Sequence, residues 1–106
     1  MFDALVVARA LVAQLRVPAE RIAARDADLA RQLRRAATSI PFNIAEGRCR
    51  GGKDKPHLYR VAAGSAAELT EALHVAVAWG HVEAAEVAEA LAEIDRVREL
   101  LWRLSR

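Results

Sequence analysis

Few residues of this 106-residue chain have both the type and the spacing for chemistry. Ser39, Asn43, Glu46 and Arg50, in the stretch TSIPFNIAEGRCRGG (38–52), recur at intervals of three and four, the spacing of one helix face. His57, Gly64, Glu68 and Glu71 form a similar row further on. If the two rows meet, Asn43, Glu46 and Glu68 make a polar site able to bind a ligand or hold a proton. The alternative is a seam of Ser39, Asn43, Glu46, Gly47, Gly64, Ser65 and Glu68 that fixes helix register, with Gly64 permitting close approach. Amide and carboxylate groups beside a core need partners in either case. The seam is the reading adopted.

Other catalytic arrangements find little support. His57, His74 and His81 are spread out and no Glu-x-x-His pair occurs, so no metal site is expected. Ser65 falls on an apolar stripe, where a small residue packs well. Cys49 lies between Arg48 and Arg50, yet neither a base nor a second cysteine accompanies it. The segment GRCRGGKDK lacks the spacing of a phosphate-binding loop and follows no strand. No enzymatic activity and no cofactor are expected.

A basic face is the stronger signal. Residues 31–60 hold Arg31, Arg34, Arg35, Arg48, Arg50, Lys53, Lys55 and Arg60 against Glu46 and Asp54. Residues 61–95 hold no lysine or arginine, but seven acids from Glu68 to Asp95: Glu68, Glu71, Glu83, Glu86, Glu89, Glu93 and Asp95. The net charge of +2 conceals this segregation. Arg31, Arg34 and Arg35 project away from the core stripe of their segment. With Arg48, Arg50, Lys53 and Lys55 they are expected to line one electropositive side that neutralises phosphates without reading sequence. No aromatic row interleaves them, so base stacking is not indicated. Phe42 also faces outward there, as an isolated ring or a subunit contact.

These residues need helices to position them. Alanine, leucine and charged residues dominate, and β-branched residues are scattered. The 3.6-residue period marks four amphipathic segments. The first runs from about Asp3 to Arg16, with Ala4, Val7, Ala8, Leu11 and Leu15 inward; Pro18 ends or kinks it, and residues 19–25 are undecided. The second starts at Asp26, a candidate N-cap, and carries Leu29, Leu33, Ala36, Ala37, Ile40 and Ile44. That stripe stays in phase across Pro41, which predicts one kinked helix to about Arg48, closed by Gly47, Gly51 and Gly52. The third runs from Asp54, a possible N-cap, to Trp79, with Leu58, Val61, Ala62, Ser65, Leu69, Ala72, Leu73 and Ala76 inward and Gly80 closing it. The fourth runs from about Glu83 to Leu104, with Val87, Leu91, Ile94, Val97, Leu101 and Leu104 inward. Short connections imply a single domain over 1–106: an all-α, antiparallel up-down four-helix bundle. No apolar run reaches membrane-spanning length, the start MFDALVVARALVAQLR makes a poor signal peptide, and one cysteine fits a reducing compartment. A cytoplasmic location is expected.

The segments RRAATSIPFNIAEGRCR, AAGSAAELTEAL and AWGHV resemble a bacterial four-helix bundle family. It is the S23-type family, found as reading frames in intervening sequences of 23S ribosomal RNA genes; the accessory variability determinant of retroelements is a distant relative. The resemblance is carried by Arg34, Arg35, Ala36, Ser39, Ile40, Pro41, Asn43, Ile44, Ala45, Glu46 and Gly47, then Gly64, Ser65, Glu68 and Leu69. It covers about half the chain, from Leu33 to Val82. It implies a ring-like homo-oligomer, commonly a pentamer, with no established activity, and by analogy with the retroelement relative a basic scaffold for nucleic acid and a reverse transcriptase. Two readings of the function follow. One is a non-catalytic oligomer binding RNA or DNA phosphates. The other is a protein-interaction scaffold whose basic and acidic blocks pair between subunits.

Overall fold

The computed structural model describes residues 3–106; Met1 and Phe2, part of the N-terminal segment read above, lie outside the described residues. Among the described residues there are five α-helices and no strand: α1 (Ala4–Gln14), α2 (Arg16–Arg25), α3 (Ala27–Cys49), α4 (Asp54–Ala78) and α5 (Ala84–Leu104). The expected all-α class stands, but the expected count of four does not. The first segment ends at Leu15, and the undecided residues beyond it belong to a helix of their own. Pro18 has no N–H to give the carbonyl four residues back, which is that of Gln14, and its ring crowds that oxygen. Helix α1 therefore ends at Gln14, and α2 begins afresh at Arg16 with Pro18 in its first turn, where a missing donor costs nothing.

Helix α3 packs chiefly on α4, α4 on α5, α5 on α1, and α1 on α3, a closed circuit, while α2 lies mainly on α3. The body is 43 Å long. Leu11, Ile22, Leu33, Ile40, Ile44, Leu69, Leu73, Ile94 and Leu101 are fully buried at its centre. Each such side chain contributes about 1.5–3 kcal/mol relative to exposure. Ile40 and Ile44 are both in that set, so the stripe runs unbroken past Pro41 within α3.

Four local expectations are corrected. Gly47 does not end α3; it is a buried helical residue. The N-cap of α4 is Lys53, and Asp54 is the first helical residue. The inner stripe of α4 passes through Tyr59 and Ala66, leaving Leu58 half-buried and Val61 exposed. Leu104 is exposed at the end of α5.

The helix ends follow local chemistry. The Asp26 carboxylate accepts from the Leu29 N–H at 3.0 Å, as an N-cap should. Glu83 and Glu86 form a reciprocal capping box at the start of α5. At the end of α4, Gly80 adopts φ +80, and the N–H groups of Gly80 and His81 donate back to Val77 and Ala76. This is the left-handed glycine turn that needs no Cβ.

Asp26 also faces His81, whose Nε2 stands 3.3 Å from Oδ2. The Leu29 N–H first, and then His81, hold the Asp26 carboxyl below its ordinary value of 3.8. A group with a depressed folded pKa adds stability above its unfolded value and loses it as pH falls through the folded one. Stability is therefore expected to decline as pH drops below about 3.8. Asp26→Asn, which keeps the cap, should show a shallower decline over that window in melting temperature against pH. An unchanged profile would mean that Asp26 is not linked to folding.

Candidate nucleic-acid interface

The polar rows meet only in part. The Asn43 Nδ2 donates to both the carbonyl and the hydroxyl of Ser39, each at 2.9 Å. The Ser39 hydroxyl lies 2.8 Å from that of Ser65. Either hydroxyl can be the donor in that contact, and the three side chains form one hydrogen-bonded chain across α3 and α4. Glu46, Gly64 and Glu68 do not join it: all three are exposed, and nothing stands within 4 Å of where a Gly64 Cβ would be. His57 and Glu71 are exposed as well. A site of Asn43, Glu46 and Glu68 is thus not formed, and the seam is reduced to Ser39, Asn43, Gly47 and Ser65.

Gly47 has a different part from the one its neighbours suggest. A Cβ on it would lie 2.8 Å from Tyr59 Cε1 and 3.1 Å from Cδ1. The Tyr59 ring, 2% exposed, occupies the space that glycine vacates. Together with the Ser39–Ser65 contact this fixes the antiparallel register of α3 and α4. Sequence reasoning passed over Tyr59; the signal for it was an aromatic residue in helical phase with Ala62, Ala66 and Leu69.

The hydroxyl chain makes a non-additive prediction. Ser39→Ala leaves the Ser65 hydroxyl and the Asn43 amide short of a partner, at a cost of about 1–3 kcal/mol. In Ser39→Ala/Ser65→Ala the Ser65 orphan is gone, so the double variant should be no less stable than Ser39→Ala alone. Urea unfolding of the four proteins closes the cycle. Simple additivity would show that the hydroxyls are not coupled.

The basic residues divide into two groups. Arg31, Arg34 and Arg35 line a groove of about 710 Å³ with Thr38, Ser39 and Phe42, floored by Ala23 of α2 and Ala27. No acid lines it. Arg31 is paired with Asp28 at 2.7 Å, on the exposed surface, while Arg34 and Arg35 have no acidic partner among the described residues. Phe42, 69% exposed, stands at the groove's edge.

Arg48, Arg50, Lys53 and Lys55 do not extend this groove. Arg48 lies thirteen positions beyond Arg35 on α3, about 20 Å along the axis. Arg48 is bonded to Asp3, the N-cap of α1. That hydrogen bond, above all, holds Asp3 below and Arg48 above their ordinary values. Arg50 faces Asp54 at 3.5 Å. Lys53 and Lys55 are exposed in the α3–α4 connection and the first turn of α4. The continuous electropositive side that the sequence suggests is therefore one arginine groove and a separate cluster in which Arg48 and Arg50 are paired.

Two further grooves contain the exposed tryptophans Trp79 and Trp102. Asp26, Asp28, Glu68, Glu71 and Trp79 line one of about 340 Å³, with Trp79 71% exposed. The other, between α4 and α5, contains Trp102. Among the described residues, no group of three or more histidine, cysteine, aspartate or glutamate side chains is placed to hold a metal ion. No described helix is long and apolar enough to cross a membrane.

Comparison with known proteins agrees with this architecture. The family model described as 23S rRNA-intervening sequence protein matches residues 6–103. A crystal structure from Bacteroides thetaiotaomicron, described as a protein with unknown function from the S23 ribosomal protein family, superposes with a TM-score of 0.90 at 14% identity. The match covers 98% of this chain and 99% of that one. A search of curated proteins finds no match.

Proposed function

We propose that this chain, which belongs to the 23S rRNA-intervening sequence protein family, is a non-catalytic protein that binds nucleic acid through the arginine groove of α3. The observation that carries the reading is the pair Arg34 and Arg35. Two guanidinium groups without acidic partners share one groove with Arg31 and no carboxylate. Fold stability alone gives no reason to leave them uncompensated, whereas a phosphate backbone neutralises them and releases its counterions.

The test is a titration of labelled RNA and DNA at several salt concentrations. Binding should weaken linearly in log affinity against log salt. Undetectable binding at low salt would remove the proposal.

A second reading is favoured by the acidic groove of Asp26, Asp28, Glu68 and Glu71. The arginine groove of one copy, with Phe42 at its edge, complements the acidic groove and Trp79 of another. Such a contact joins two different patches, and it closes into a ring if the rotation allows. A ring-like homo-oligomer, a pentamer among the options, follows on this reading. Light scattering decides it: the particle mass would be a multiple of 11.6 kDa, and would fall to that value when the arginines are reversed.

A further inference from the structure

We propose that the groove containing Trp102 is a base-stacking site, so that the nucleic acid bound by this protein is single-stranded. The inference rests on the nucleic-acid reading above but uses a different surface. Arg60 of α4 and Arg98, Trp102 and Arg106 of the α5 end line a groove of about 700 Å³. Trp102 is 60% exposed, and the Arg106 guanidinium lies over its ring, 4.5 Å from the centroid. The ring face is thus open to a planar group and already carries one.

The charges around the ring suit a phosphate backbone. Two acids also line the groove, Asp95 and Glu99. Glu99 is occupied by Arg103 at 2.7 Å. Asp95 is then left against three guanidinium groups. Arg60 has only a long contact, 3.5 Å, to the Ser105 carbonyl.

Magnitudes favour exchange of Arg106 for a base. An exposed cation–π contact shifts an equilibrium about 2- to 5-fold, whereas a base stacked on an aromatic side chain shifts it about 5- to 150-fold. A base that takes the ring face frees Arg106 to meet the adjoining phosphate. Bases inside a duplex do not offer their faces, so the site selects single strands. The surface is distinct from the arginine groove, where sequence patterning gave no indication of stacking.

The experiment uses the full chain with Trp79→Phe, which leaves Trp102 as its single tryptophan. Its fluorescence is followed while a uridine oligonucleotide, or an RNA duplex of equal length, is added. The single strand should quench Trp102, and the duplex should not. Trp102→Leu should weaken single-strand binding about 5- to 150-fold and leave duplex binding unchanged. An oligonucleotide that binds without changing Trp102 emission overturns the proposal, as does unchanged single-strand affinity in Trp102→Leu. So does emission that depends on protein concentration without RNA, with Trp102→Leu lowering the particle mass, because another copy then covers the ring. Reversing Arg31, Arg34 and Arg35 separates the two surfaces. If that variant keeps full affinity while Trp102→Leu loses it, the arginine groove fails and this site stands. If the variant loses affinity while Trp102→Leu does not, the reverse holds. If the unaltered chain binds neither nucleic acid, both fail.

Discussion

The variant Arg31→Glu/Arg34→Glu/Arg35→Glu is expected to lose at least about 100-fold in nucleic-acid affinity while keeping its helical fold. Non-specific binding at physiological salt has dissociation constants of about 10⁻⁴–10⁻⁶ M, so a loss of this size removes it from most assays. Each phosphate neutralised contributes about 0.7 to the salt slope for a single strand and about 0.9 for duplex DNA. Removing three contacts should therefore flatten the slope by about 2–3. The fold has little reason to respond. All three side chains are exposed on the outer side of α3, and the one ion pair lost, Arg31 with Asp28, is of a surface kind worth about 0–1 kcal/mol. Arg→Lys at the same positions should restore most of the affinity, because charge rather than bidentate geometry does the work at a non-specific site. Anisotropy over a salt series gives affinity and slope, and circular dichroism reports the fold. A folded triple variant that binds as tightly as the wild type would remove the arginine groove from the interface.

Gly47→Val should be the most damaging single substitution at the α3–α4 contact, costing about 3 kcal/mol. The smaller Gly47→Ala is the more instructive. Alanine improves helix propensity by about 1 kcal/mol over glycine. Its Cβ must nevertheless enter a space where Tyr59 carbons lie 2.8 and 3.1 Å away, and overpacking of that kind costs about 1–3 kcal/mol. The ring is buried and cannot swing into solvent, so the steric term should win and the net change should be destabilising. In a Tyr59→Leu background the clash is gone, and Gly47→Ala should become neutral or stabilising. The two sites touch, so a coupling of about 0.5–3 kcal/mol is expected in the cycle. Urea midpoints measure it. A Gly47→Ala protein more stable than the wild type would show that α3 and α4 can part at no cost.

Periodicity was the most legible property of this chain. Ile40 and Ile44 share a phase on either side of Pro41, and that alone joins the two halves of α3. The Asp26 cap, the Glu83 start of α5 and the Gly80 turn are equally local, each decided within about four residues. The break at Leu15 was not legible, because a proline at 18 suits either a kink or the first turn of a new helix. Which of these occurs depends on how α2 sits against α3, with Ile22 fully buried. The seam was half legible for a related reason. Sequence places Ser39, Asn43 and Glu46 on one row, but cannot say which of them lies opposite Ser65. The Gly47–Tyr59 contact sets that register. Tyr59, and not Leu58, turns inward, and its ring fills the space beside Gly47. The arginine groove was visible as three outward residues. Its separation from Arg48, Arg50, Lys53 and Lys55 was not, since the pairings to Asp3 and Asp54 arise from tertiary contact and from the turn between helices.

The closed circuit of helices also has an entropic side. Helices α3 and α4 share the most intimate contact and are joined by residues 50–53 alone, whereas α1 and α5 lie at opposite ends of the sequence. Loop-closure entropy rises by only about 0.6 kcal/mol for each doubling of the loop, so bringing the two ends together across some eighty residues costs about 2–3 kcal/mol more than making the α3–α4 turn. Once α3 has paired with α4 and α4 with α5, most of that distance is already spanned by ordered helices. Helices α1 and α5 then meet across the width of the body rather than across a free coil. The Asp3–Arg48 pair ties the head of α1 to the tail of α3, on the exposed surface.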